Sequence, residues 1–283
     1  MQIYERISMY LKHLLMIVFV LVLNAYASAG QIAAELANDA YLCEEDFKTK
    51  YKESALSITA SISKSVHFYT LHTRNNTLIV TFRGSRSFEN WESNLNIGET
   101  QFLDVKGAIV HQGFYEEALG TRTKLAKVLD KNQKVIVTGH SLGGAVALVF
   151  AAMLQNDGFD VKLITFGSPP VGNQTFVDSI KALDHIRYTH IFDIVPKVKK
   201  EYVDKFKLSL SNLNEHFKEG QKMKSLLGYI GGISYDYIHH GRHRSIYNLE
   251  SLDSKYDNEL FVKKFLLNTL LYHSSKTYLN GVK

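Results

Sequence analysis

Residues Lys134 to Ala145 read Lys-Val-Ile-Val-Thr-Gly139-His140-Ser141-Leu142-Gly143-Gly144-Ala145, and they are followed at once by an alanine-rich apolar stretch. The β-branched run at Lys134 to Thr138 predicts a strand, and the spacing of apolar residues over Ala145 to Gln155 predicts a helix. Between them lies Gly-x-Ser-x-Gly. A strand that turns abruptly into a helix forces the serine into a strained conformation, and side chains two residues before and after it would collide, which is why both positions need glycine. Such a turn lifts the Ser141 hydroxyl above the sheet and aims the Leu142 amide at the same space from the helix N-terminus. A serine N-cap followed by C-cap glycines leaves the second glycine unexplained.

Working outward, Thr77 to Phe82, Val161 to Phe166 and Ile186 to Ile191 read as further strands, and Phe114 to Asp130 and Asn173 to Leu183 as further helices. Strand, helix, strand, helix, strand implies parallel pairing through right-handed crossovers, with central strands apolar on both faces. The fold class is α/β, a central, mostly parallel sheet flanked by helices. In such sheets the residues that follow the strands' carboxyl ends are where chemistry is expected.

Composition bounds the rest. The 283 residues contain three prolines, one tryptophan and a single cysteine, Cys43, so neither an internal disulfide framework nor a thiolate zinc site is available. The N-terminus carries a processing pattern: Arg6 and Lys12, ten apolar residues from Leu14 to Leu23, then Ala27-Ser28-Ala29-Gly30. Residues 1–29 are expected to be a cleaved signal peptide, so that the protein is secreted or periplasmic; an uncleaved anchor is the alternative.

Several separate stations resemble the class 3 lipases, a family of α/β-hydrolases known chiefly from secreted fungal enzymes. They are Phe82-Arg83-Gly84-Ser85-Arg86-Ser87, Glu89-Asn90-Trp91, Asn94-Leu95, His111-Gln112-Gly113-Phe114, the Ser141 turn, Gly167-Ser168-Pro169-Pro170-Val171-Gly172-Asn173 and Asp193-Ile194-Val195-Pro196, in the family's order. The resemblance implies an α/β-hydrolase fold over a single catalytic domain, residues 30–283. It also implies a serine hydrolase acting on lipid esters, with no cofactor and no metal.

A serine hydroxyl is a weak nucleophile until an imidazole accepts its proton, and the imidazole needs a carboxylate to fix its tautomer. In this fold the chain order is Ser, acid, His. Asp193 follows the strand ending at Ile191 and sits in the family's Asp-Ile-Val-Pro motif, whereas the rival Asp184 precedes that strand. Order alone leaves His239, His240, His243 and His273 open as the base. The resemblance of His273 to the family's terminal His-x-x-x-x-Tyr-Leu pattern points to His273, with His239 the alternative. His239, His240 and His243 also spell His-His-x-x-His, but on a strand His239 and His240 face opposite ways, which disfavours a metal. The resemblance adds the Ser85 amide and hydroxyl to the Leu142 amide as oxyanion donors, makes His111 and Gly113 structural, and makes residues 86–95 a lid carrying Trp91. Core packing is the alternative for Trp91.

The net charge of +5 is local. Residues 197–224 hold eight lysines and four acidic residues, within an insertion placed at 197–232. Val203, Phe206, Leu210, Leu213 and Phe217 recur at helical spacing, which predicts an amphipathic helix with a basic outer face. That face would either meet anionic lipid or simply be solvated. Nucleic acid is disfavoured as a partner, since no interleaved aromatics accompany the lysines. The expected function is a triacylglycerol lipase working through an acyl-enzyme on Ser141. The alternatives are a phospholipase A1 using the same residues on anionic membranes and, in a different class, an inactive lipid-binding or membrane-docking protein.

Overall fold

The computed structural model describes residues 29–85, 98–197, 236–246 and 272–282. The expected signal peptide up to residue 28, the lid at 86–95 with Trp91, and the insertion beyond Lys197 up to 232 lie outside the described residues.

Among the described residues seven strands form one sheet in the order β1-β2-β3-β6-β7-β8-β9. Strands β3 (Thr77–Phe82), β6 (Lys134–His140), β7 (Asp160–Phe166), β8 (Asp184–His190) and β9 (Arg242–Ile246) pair in parallel. At one edge β1 (Ser57–Ser63) and β2 (Val66–His72) add an antiparallel hairpin to β3, turned by Lys64 at φ 38°. A separate two-stranded sheet joins β4 (Glu99–Gln101) to β5 (Ile109–His111).

The helices are α1 (Glu44–Tyr51), α2 (Gln112–Leu125), α3 (Leu142–Asn156), α4 (Gln174–Ser179) and α5 (Ser275–Val282), with a further helical segment over residues 29–39. Helix α3 is buried from Leu142 through Leu154. A helix apolar all round must be enclosed, and α3 is, between the sheet and α2. Its Phe150 ring meets Phe82 of β3 edge-on, with centroids 5.5 Å apart. Removing one such ring typically costs about 3–5 kcal/mol.

The opposite sheet face, at Ile164, Phe166 and Ile246, is covered by Ala33, Ala34 and Ala37 and by Tyr278 of α5. The alanines let the 29–39 helix approach closely enough for the Thr138 hydroxyl to donate to the Ala33 carbonyl, 3.3 Å, and the Thr81 hydroxyl to the Leu36 carbonyl, 3.2 Å.

The central strands and helices lie where the periodicity places them, with shifted ends. Helix α2 begins at Gln112 and stops at Leu125 rather than running from Phe114 to Asp130, since 126–133 is turn. Helix α4 covers Gln174–Ser179 rather than 173–183, because Asn173 caps it, accepting from the Phe176 amide at 3.0 Å. Strand β8 begins at Asp184 and ends at His190, leaving Ile191 in the turn that carries Asp193.

Candidate active site

The turn after β6 is as tight as its glycines imply. Ser141 has φ 58° and ψ −128°, a region that costs a non-glycine residue energy and persists only where the surroundings hold it. Its amide donates to the Phe166 carbonyl at the end of β7, 2.9 Å. A Cβ on Gly139 would come closer than 3.0 Å to the Gly143 carbonyl, and one on Gly143 closer than 3.0 Å to the Phe82 carbonyl. The serine is thereby clamped between the ends of β3 and β7, at the start of α3.

The loop after β8 delivers a carboxylate to the same end of the sheet. Asp193 is fully buried and is held by three donors. The Val195 amide donates to Oδ1 at 2.9 Å, the Tyr278 hydroxyl to Oδ2 at 2.6 Å, and His273 Nδ1 to Oδ2 at 2.7 Å. His273 lies just before α5, and its other ring nitrogen, Nε2, accepts from Ser141 Oγ at 2.7 Å. The tautomer follows from the partners: a carboxylate only accepts, so Nδ1 carries the proton and Nε2 is left as the base. The structure therefore brings Ser141, His273 and Asp193 into one hydrogen-bonded chain, the arrangement needed to take a proton from the serine hydroxyl as it attacks a carbonyl.

Three residues absent from the sequence-based site complete the surroundings. Tyr278, five residues after His273, donates to Asp193 and accepts from the His190 amide at 2.9 Å, so it fixes the acid to the end of β8. Burial and the adjacent Asp193 push its pKa well above the usual tyrosine value, so it remains a donor. His140, directly before Ser141, lies with Nε2 2.6 Å from the His273 carbonyl oxygen. A carbonyl cannot donate, so Nε2–H does, and Nδ1 then accepts from the Tyr41 hydroxyl at 2.9 Å. Burial, then the neighbouring His273, drives the His140 pKa well below the ordinary histidine range, consistent with this neutral form. The five-residue gap from His273 to Tyr278 would have placed that phenol near the acid once α5 was known. Tyr41 left no comparable trace, because its partner is 99 positions away.

The expected oxyanion donors flank the serine. The Leu142 amide opens α3, where the first amides of a helix have no intrahelical acceptor and the helix dipole favours negative charge. Ser85 follows Gly84, and a Cβ on Gly84 would lie 3.3 Å from Ser141 Cβ, so the β3 loop passes directly against the serine. Arg83, in the same loop, follows β3 directly.

The other histidines go elsewhere. His239 Nε2 donates to the Pro196 carbonyl at 2.5 Å. His240 Nδ1 is 3.2 Å from His185 Nδ1, and His243 Nε2 is 2.5 Å from Thr189 Oγ1. The three imidazoles thus have three different partners. His111 is buried and stacks on Phe114 with centroids 4.3 Å apart, a packing position. Asp184, at the amino end of β8, pairs with Arg242 at 2.6 Å.

Comparison with known proteins finds similarity to lipases. Residues 79–203 match the family described as Lipase (class 3). The secreted mono- and diacylglycerol lipase 1 of Fusarium solani is 42% identical over 129 residues, 43% of this chain and 39% of its own length. The secreted mono- and diacylglycerol lipase A of Penicillium cyclopium is 31% identical over 147 residues, 49% of this chain and 48% of its own. The chain thus spans about half the length, or less, of these relatives. Among solved structures, the lipase of Rhizopus microsporus var. chinensis superposes with a TM-score of 0.53 at 28% identity, covering 63% of this chain and 70% of that one. The shared architecture is the α/β-hydrolase fold. The matched segment, residues 79–203, its motifs and the fold are thus similar to those of the class 3 lipase family.

Proposed function

We propose that this protein is an exported serine carboxylic ester hydrolase that cleaves acyl glycerols at a lipid surface. The observation that carries the reading is the unbroken hydrogen-bond chain from Ser141 through His273 to Asp193. Ser141 Oγ attacks the ester carbonyl while His273 Nε2 takes its proton. The charge left on the carbonyl oxygen is received by the Leu142 amide and by Ser85. Collapse of this intermediate breaks the ester bond, and His273 returns the proton to the departing alcohol. Water, deprotonated by the same imidazole, then attacks the acyl-serine and releases the carboxylic acid. Asp193 stays ionised throughout and stabilises the imidazolium formed in each half-reaction.

Mono- and diacylglycerols, the substrates named for the Fusarium and Penicillium relatives, and triacylglycerols are the substrates to try first. The export pattern of residues 1–29 and the secreted character of those relatives support release from the cell. The reading is tested by hydrolysis of a short-chain nitrophenyl ester and of emulsified diacylglycerol with purified protein and with Ser141→Ala. A loss of three or more orders of magnitude in Ser141→Ala is expected for both substrates. Equal rates for the two proteins would overturn it.

A further inference from the structure

Arg187 has an unmet need. It lies in β8 on the sheet face it shares, by strand alternation, with His185 and Thr189, and its Cα partner across the parallel register is His243 of β9. Thr189, two residues on, holds His243 Nε2 at 2.5 Å, so both strands present polar groups to this face. Within that setting the Arg187 Nε is buried and has no hydrogen-bond partner, and no carboxylate among the described residues pairs with the guanidinium.

Among the described residues, the groups named around Arg187 add positive charge or none. Lys197 follows from the turn Val195–Lys197, its ammonium donating to the Ile191 carbonyl, and both it and Arg187 act on His243. His239 is spent on the Pro196 carbonyl, and His185 and His240 on each other and on Thr165. Among the described residues Tyr278 alone favours the Arg187 charge, and it is a protonated phenol. Asp193, on the loop after β8, is committed to His273, Tyr278 and the Val195 amide. A guanidinium does not escape by losing its proton, so a partly buried one without a counter-ion is expected to take one from outside.

We infer that Arg187, with His243 and Lys197, forms an anion site on the β8–β9 face, beside the loop that carries Asp193, for a tetrahedral oxyanion of the phosphate class. The planar fork of Arg187 matches two phosphate oxygens at once, and a doubly charged oxyanion answers a site with more than one positive group better than a carboxylate does. Free phosphate and the phosphomonoester of a lipid headgroup share this chemistry. The inference does not depend on the hydrolase activity proposed above, and its readouts are stability and binding.

The test is thermal unfolding of the full chain against inorganic phosphate at constant ionic strength, with calorimetric titration alongside. Wild-type protein should gain on the order of 5 °C in Tm at phosphate about a hundredfold above its dissociation constant. Arg187→Gln should lose the gain. His243→Glu supplies an internal carboxylate opposite Arg187, and it should melt higher than wild type without phosphate and show no further gain with it. Co-sedimentation with phosphatidylcholine vesicles, with and without phosphatidic acid, identifies the source. Retention by phosphatidic acid that both variants lose assigns the site to a headgroup, and a phosphate response without retention assigns it to the free ion. No response to phosphate, to glycerol phosphate or to phosphatidic acid overturns the inference, as does a response that Arg187→Gln retains. Should Arg187→Gln fail to fold, an undiminished phosphate response in His243→Glu overturns it instead.

Discussion

The imidazole of His140 donates from Nε2 to the backbone carbonyl of His273, 2.6 Å away, and so ties the residue before Ser141 to His273. His140 is itself fixed by the Tyr41 hydroxyl, 2.9 Å from Nδ1. These two contacts set the position of the His273 main chain, on which the 2.7 Å approach of Nε2 to Ser141 depends. Catalysis that relies on positioning is sensitive to displacements of an ångström or less. His140→Ala is therefore expected to lower kcat on the order of 10- to 100-fold with KM little changed. Tyr41→Phe, which removes the outer bond and the hydroxyl's contact with the Gly84 backbone but leaves the His140–His273 bond, should lower it less. Steady-state kinetics on a soluble ester decide the matter, and a larger loss for Tyr41→Phe than for His140→Ala would contradict this order.

Tyr278 anchors Asp193 as His140 anchors His273. Its hydroxyl donates to Asp193 Oδ2 at 2.6 Å and accepts from the His190 amide at 2.9 Å, both buried. Tyr278→Phe keeps the ring that packs on Phe166 but leaves a buried carboxylate short of one donor and a buried amide without its acceptor. A hydrogen bond to a charged group is worth about 1.5–3 kcal/mol, so a stability loss of about 2–3 kcal/mol is expected in denaturant unfolding. The same variant should lower kcat/KM roughly tenfold, because the carboxylate that orients His273 loses one of its own anchors.

The base assignment separates cleanly in this geometry. His273→Ala removes the group bonded to both Ser141 and Asp193 and should cost about a thousandfold or more in acylation rate. His239 instead braces the Pro196 carbonyl, so His239→Gln, which can still donate there, should cost less than tenfold. Single-turnover measurement of nitrophenol release distinguishes the two, and the reverse order would move the base to His239.

What the sequence made legible follows from where its signals are local. The Ser141 turn was readable because steric exclusion acts between Gly139 and Gly143, four residues apart, and the central strands because burial on both faces writes itself as β-branched runs. Asp193 was readable from its place after a strand. The β1–β2 hairpin carries little local signal: Ser57–Ser63 interleaves serine and threonine with apolar residues at the sheet edge, and its pairing comes from β2 rather than from its own composition. Strand β9, Arg-His-Arg-Ser-Ile, falls within the stretch whose composition reads as a strand, and β8 offers it its ladder. Tyr41 and His140 escaped notice for a related reason. Their contacts span 99 and 133 positions, and nothing within a few residues of either records the partner.

The elbow glycines give a direct steric test. A methyl on Gly139 meets backbone atoms of Gly143 and Gly144, and one on Gly143 meets backbone of Phe82 and Arg83, so no side chain can move aside to receive it. Gly139→Ala and Gly143→Ala are each expected to destabilise by about 3 kcal/mol or more, or to prevent folding. Gly158 provides the comparison. Nothing lies within 4 Å of a Cβ built there, yet its φ of 83° disfavours any side chain, so Gly158→Ala should cost only about 1–2 kcal/mol. Denaturant midpoints of the three variants measure the difference, and equal losses would mean that backbone strain rather than collision sets the cost at the turn.

Acid should weaken the fold through its buried neutral histidines. Burial pushes His111 down to about 4, lowers His239 to about 4 with Arg187 assisting, and takes His140 and His185 well below the ordinary value. In the unfolded chain each titrates near 6.5, so between about pH 6.5 and 4 the unfolded state binds more protons than the folded one. Stability is then fully present above pH 6.5 and is lost as pH falls toward 4, and for His111 and His239 the loss levels off below that. For His111 alone the difference amounts to about 3 kcal/mol. Its Nδ1 is buried without a hydrogen-bond partner, and its ring stacks on Phe114, so His111→Phe keeps the stacking and removes the titration. The variant should lose about 2 kcal/mol less than wild type when urea unfolding is compared at pH 7 and pH 4.5. An identical pH slope in the two proteins would show that His111 takes up no proton on unfolding in this range.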